Sequence, residues 1–276
     1  MALMAGLMNI AALAVGVPGA TARVRLIAGL TEERAYFPRL QAIRALEKEP
    51  PLSAVERSAL LAFLRRTDGA GETSEMELAA LKNDVTERLL TLPGMPGGFA
   101  RDLLDMQADA AQSPTWRNYC IQFLGRAYKD TPDAALRAAV RERLYRLAES
   151  PDPETCGTTL VTLAALKGHP EIDSARVGGR AVALARDVSR KEGLRFTALQ
   201  SAAELGHASA APLAREWLVK ERAANMKAVA LGVLGTCGVA ADRALIEPYL
   251  NDPDPRLSGA ARAALKLPRK RPGNIK

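Results

Sequence analysis

The chain has 276 residues, 48% of them hydrophobic, 25% charged and only 4% aromatic, a balance that supports a large aliphatic core and argues against long disorder. Its formal net charge of +7 suggests a polyanion partner, but residues 266–276 alone hold Lys266, Arg269, Lys270, Arg271 and Lys276 without an acid, which leaves +2 on the rest and argues against a basic body built to grip nucleic acid. Cys120, Cys156 and Cys237 form no C-x-x-C, so neither a zinc knuckle nor a disulfide framework is indicated and the three thiols read as small buried hydrophobes.

The opening MALMAGLMNIAALAVGVPGATA carries no charge over residues 1–22 and ends in Ala20-Thr21-Ala22 ahead of Arg23. It resembles a secretory h-region with an A-x-A site, which predicts cleavage after Ala22 and a periplasmic or secreted protein. No Lys or Arg precedes Arg23, so the positive n-region is missing. The competing reading is an apolar first helix that caps the core of a cytoplasmic protein. The apolar run is short of the roughly 20 residues that a membrane span needs.

Beyond it, apolar residues recur at i, i+3, i+4 and i+7 and almost nothing alternates with period two, so the chain reads as all-α. About 12 to 13 helices are expected, starting near Thr31, Ser53, Ser74, Phe99, Thr115, Pro132, Glu154, Ala175, Gly193, Ala208, Ala223, Ala240 and Pro255. Ser53-Ala54-Val55-Glu56 and Ser74-Glu75-Met76-Glu77 fit the capping box. Gly125, Gly168, Gly206 and Gly235 follow apolar runs as left-handed stops would. Two breaks, residues 68–71 and 93–98, are rich in Gly and Pro, and the second suggests a hinge between an irregular helical part, 23–112, and a regular one, 113–267, ahead of a flexible basic tail, 268–276.

The regular part repeats. A shift of 32 residues lays GHASAAPLAREWL (206–218) on GVAADRALIEPYL (238–250), matching Leu213 with Leu245 and Trp217 with Tyr249. NDPDPRLSGAARAAL (251–265) then reads as a turn and second helix, with Pro at the first helical turn, Asp on its free N–H groups, and Gly259 letting neighbouring helices approach. The turn DPDP followed by R-x-x-A-A-x-A-L resembles the HEAT and HEAT-like repeat family; SPDPETCGTTLVTLAAL at 150–166 is a fainter copy. The resemblance implies a right-handed α-solenoid of antiparallel helix pairs that binds other macromolecules on its concave face. It names no partner.

Catalytic signatures are not found: there is no H-E-x-x-H, no P-loop, no G-x-S-x-G and no G-x-G-x-x-G. His169 and His207 follow Gly168 and Gly206 and read as turn residues, since a metal would need ligands beyond them. Asp105, Asp109, Asp130 and Asp133 read as caps or solvated charges. Trp217 fits a core position, whereas Trp116, in a first helical turn, is the candidate hot spot. Arg176 and Arg180 share a helix face inside the basic stretch 176–195 and are candidate partner contacts, with Arg269, Lys270 and Arg271 of the tail as a weaker, salt-sensitive one. No cofactor is indicated. The expected function is a non-enzymatic scaffold for a protein or peptide partner. Its alternatives are an enzyme resembling the HEAT-like alkylpurine DNA glycosylases or bilin lyases, neither of whose sites is recognised in this sequence, and a nucleic-acid-binding solenoid.

Overall fold

The computed structural model describes residues 17–31, 34–46, 51–68, 73–91, 98–221 and 223–266. Among them the chain is helical throughout and without a strand: α1 (Ala22–Ile27), α2 (Tyr36–Ala45), α3 (Ala54–Leu64), α4 (Glu75–Thr91), α5 (Phe99–Ala108), α6 (Pro114–Asp130), α7 (Ala134–Leu147), α8 (Pro153–Ala164), α9 (Ser174–Arg186), α10 (Glu192–Glu204), α11 (Ala210–Lys220), α12 (Ala224–Cys237), α13 (Arg243–Ile246) and α14 (Pro255–Lys266). The hinge at 93–97 and the tail from 268 lie outside the described residues. No described helix is long and apolar enough to cross a membrane.

Most starts fall within a few residues of expectation, because caps are local chemistry. Ser53 and Glu56 form the expected capping box, and Ser74 and Glu77 make the same reciprocal bonds. Asp152 and Asp173 accept the N–H groups of Thr155 and Arg176 at the starts of α8 and α9. At α14 the Asp254 carboxylate accepts from Arg256 N–H at 2.9 Å and pairs with the Arg256 guanidinium, while Asp252 accepts from Asp254 N–H at 2.9 Å. The double Asp-Pro is thus a ladder of side-chain caps on a helix that begins with proline. Replacing Pro253 and Pro255 together with alanine is expected to cost about 1 kcal/mol through the unfolded chain, read as a lowered thermal midpoint.

Two expectations are corrected. The helix expected near Thr31 starts at Tyr36, and the six-residue α1, too short for a periodic signal, precedes it. The helix expected near Ala240 is a four-residue α13 between two 3-10 turns, Ala240–Asp242 and Glu247–Asn251. Pro248 contributes to the second, since it offers no N–H to the α-helical ladder and its ring crowds the carbonyl one turn earlier. The changed winding turns the expected Leu213–Leu245 equivalence: Leu213 is buried, but Leu245 is 41% exposed and Ile246 takes its place at 0%.

A longer repeat underlies the shorter one. The even-numbered helices α2, α4, α6, α8 and α10 begin at residues 36, 75, 114, 153 and 192, each 39 after the last, and α12 and α14 follow at 224 and 255. The stretch expected to be irregular shares this spacing. The chain divides into two compact units at Val140/Arg141, inside α7 rather than at residue 112. In the first, α2 packs on α4 and α4 on α6, with α1 against α2 and α3, α3 against α4, and α5 against α6. In the second, α8, α10, α12 and α14 form one row, with α9 against α8 and α10 and α11 against α10 and α12.

The fourth residue of several even helices ties each to the helix before it. Arg39 donates through Nε and Nη2 to Ile27 O, Arg117 Nε to Gln107 O and Arg195 Nε to Ala185 O, all within 3.0–3.1 Å; Cys156 Sγ reaches Ala148 O at 3.2 Å. The last carbonyls of a helix have no partner within it and sit at the negative end of its dipole, so a cation from the neighbouring helix satisfies both needs. In α4 the fourth residue is Leu78, and the task passes one turn on to Lys82, which donates to Arg66 O past the end of α3.

Glycine roles divide. Gly168 and Gly206 have φ of 86° and 72° and stop their helices as expected. Gly125 and Gly235 instead lie inside α6 and α12. A Cβ on Gly235 would come within 2.7 Å of Ala264 Cα, so this residue sets the close approach of α12 and α14. Gly259, expected in that role, faces open space.

Candidate binding groove

In the second unit the row of even helices leaves an open groove of about 670 Å³ lined by α8, α10 and α12. Val161 of α8, 52% exposed, stands on one side. Thr197, Gln200 and Glu204 come from α10 and Val229, Gly232 and Thr236 from α12. The lining is less polar than its composition. Thr197 Oγ1 donates to Gly193 O at 3.0 Å and Thr236 Oγ1 to Gly232 O at 3.1 Å, so these hydroxyls are turned back onto their own helices. Gly232 lies mid-helix in α12, and a Cβ there would meet nothing within 4 Å. Gln200 and Glu204 provide the polar ends, and Lys167 beside them donates to Glu204 O. The groove therefore offers small, mostly uncharged contact area, with Ser201 and Glu204 of α10 among its lining.

The candidate hot spot Trp116 is corrected. It is 1% exposed, lies under Lys82 with Nζ 5.3 Å from its ring centre, and tilts against Phe123. A first turn is open only if no neighbour covers it; here Leu78, Ala79 and Lys82 of α4 share a small pocket with Trp116. Trp217 is core as expected, with Arg195 stacked 5.2 Å from its ring centre. Lys227 stacks on Tyr249 at 5.8 Å, so the 32-residue shift holds for this cation and ring pair.

Arg176 and Arg180 do share the α9 face, and both reach the end of α7. The Arg176 guanidinium lies 4.3 Å from the Tyr145 ring centre, and Arg180 Nε is 3.3 Å from Ala148 O and 3.0 Å from Glu149. Arg190 pairs with Asp187, and buried Arg195 with Glu221 at 2.8 Å. The basic stretch is thus dispersed into local contacts instead of forming one ridge. Arg269, Lys270 and Arg271 lie outside the described residues. His169 and His207 sit in equivalent turns, where Nδ1 accepts the N–H of Glu171 at 3.4 Å and of Ser209 at 3.3 Å. Asp109 and Asp133 accept nearby backbone N–H groups. Among the described residues no three His, Cys, Asp or Glu side chains gather to hold a metal.

Sequence reasoning missed the buried cations. Lys82, 2% exposed, donates to Gln112 Oε1 at 2.8 Å, and burial pushes its pKa down to about 8. Arg39, also buried, is lowered to about 10 by burial and by Arg66 and Arg34. Burial drives the Cys120 thiol up to about 12, which makes it an inert core residue. The signal for Lys82 was present: it stands in line with Leu78, Val85 and Leu89 on the apolar stripe of α4.

No protein family, curated protein or solved structure matches the chain.

Proposed function

We propose that this chain is a non-enzymatic scaffold of HEAT-like helix pairs, wound as a right-handed α-solenoid, that holds a protein or peptide segment along the row of even helices. The observation that carries the reading is the groove over α8, α10 and α12, an open surface of small and mostly uncharged side chains along the row of even helices. The 39-residue recurrence of the even helices supports the architecture, since HEAT-type pairs run near 40 residues and stack in register. Whether the scaffold works inside the cytoplasm or beyond it turns on the fate of residues 1–22.

The test is capture from the native host with a tagged chain. A stoichiometric protein partner should be retained by the natural sequence and lost, by at least about tenfold (1.4 kcal/mol), with Gly232→Leu, which fills the open floor of the groove without touching the core. Capture that ignores Gly232→Leu, or recovery of nucleic acid instead of protein, overturns the reading.

A further inference from the structure

A small cavity lies in the first unit, apart from the proposed partner groove, between the N-terminal turns of α4 and α6. Trp116, 1% exposed, lines it, and its indole Nε1–H is buried without a hydrogen-bond partner. A buried donor left unmade is rare and costly, so it needs a reason. Beside it lies Lys82, 2% exposed, with Nζ 5.3 Å from the Trp116 ring centre. The two acceptors of this ammonium, Arg66 O and Gln112 Oε1, are neutral. Gln112 is held in that orientation because its Nε2 donates to Arg65 O at 2.7 Å. Asp109 and Asp68 act on Lys82 only through space, and the Arg66 guanidinium, which pairs with Asp68, opposes them. Among the described residues no carboxylate forms an ion pair with Lys82.

The cavity thus joins a buried positive charge that lacks a counter-ion to a donor that lacks an acceptor. Both deficits call for an anion. The start of α6 adds to them, since its N-cap Ser113 lines the cavity and the helix presents its positive end there. Glu75, exposed in the first turn of α4 and next to the exposed Thr67, is the one acid in the lining and sits where it opposes an anion. The free interior is about 10 Å³, close to a single water-sized particle. That size excludes phosphate, sulfate and organic acids and leaves a monatomic anion as the charged occupant. Water would satisfy Trp116 but would not neutralise Lys82. We infer that this cavity binds chloride, held by the Trp116 Nε1–H and the Lys82 ammonium, and that the ion ties the start of α6 to α4.

Chlorine NMR of the full chain tests the site, with sodium methanesulfonate replacing sodium chloride at constant ionic strength. The chloride line should broaden with the natural chain. Affinity should fall about tenfold in Lys82→Met and in Trp116→Phe, which keeps a ring but removes the N–H. In thermal melts, chloride at about ten times its dissociation constant should raise the midpoint of the natural chain by about 3 °C and leave that of Lys82→Met unchanged. Glu75→Gln, at an exposed position, should tighten chloride about twofold and keeps the test independent of how the buried variants fold. A line width and a midpoint that ignore chloride would show that water alone fills the cavity and would overturn the inference. So would a response that Lys82→Met and Glu75→Gln leave unaltered, since the ion would then sit elsewhere on the protein.

Discussion

Gly235→Ala is expected to destabilise the protein by about 2 kcal/mol, whereas Gly232→Ala, three residues earlier on α12, is expected to stabilise it by about 0.5–1 kcal/mol. Both replacements bring the same gain in helix propensity, roughly 1 kcal/mol at an interior position. They differ in what the new methyl group meets. At Gly232 it meets nothing within 4 Å. At Gly235 it lies 2.7 Å from Ala264 Cα and 3.1 Å from Ala264 O, and backbone cannot move aside as a side chain can, so α14 must shift away from α12. Overpacking of this kind costs about 1–3 kcal/mol and here must also outweigh the propensity gain. Thermal melts of the two variants, with limited proteolysis as a monitor of α14, give the sign. Equal effects would mean that α12 and α14 do not make this contact in solution.

Lys82→Ala is expected to cost about 3 kcal/mol and Lys82→Met less than about 1 kcal/mol, with a pH dependence that identifies the cause. Alanine leaves Arg66 O and Gln112 Oε1 without their buried donor and opens a hole over Trp116. Methionine keeps the volume and removes the burial of a charge, which offsets the lost hydrogen bonds. The pKa of Lys82 falls from 10.5 to about 8 because burial disfavours the ammonium. Between those values the unfolded chain binds more protons than the folded one, so this group makes stability rise with pH from about 8 to 10.5. Below 8 the lysine is charged in both states and its contribution is constant. The natural chain should therefore gain on Lys82→Met across that window, by on the order of 2–3 kcal/mol, in urea titrations at matched pH. A constant difference between the two would place the ammonium in water.

Helix type and start were largely legible because their causes are local. Ser53, Ser74, Asp152 and Asp254 cap within three residues of themselves, and apolar spacing shows which segments have a face to bury. The 32-residue shift was visible where side chains repeat, as in Trp217 and Tyr249. The 39-residue spacing of α2 to α10 was not, because it repeats helix starts while the residues at those starts differ: Tyr36, Glu75, Pro114, Pro153 and Glu192. The candidate groove was legible only in part. Its Thr, Val and Gly read from sequence as ordinary helix faces, and nothing local marks Val161, Gln200 and Gly232 as neighbours.

The sequence by itself determined an all-helical chain, the caps that start its helices and the left-handed stops at Gly168 and Gly206, since propensity, capping and turn chemistry act over three or four residues. Only the tertiary structure decided exposure and pairing. Trp116 is buried because α4 covers the first turn of α6, and Arg180 and Arg195 serve the carbonyl ends of neighbouring helices. Gly235 rather than Gly259 sets a helix contact. Each of those outcomes depends on which helix faces which across more than about ten residues of intervening chain, and a helix with one apolar stripe specifies that it will be covered, not by what.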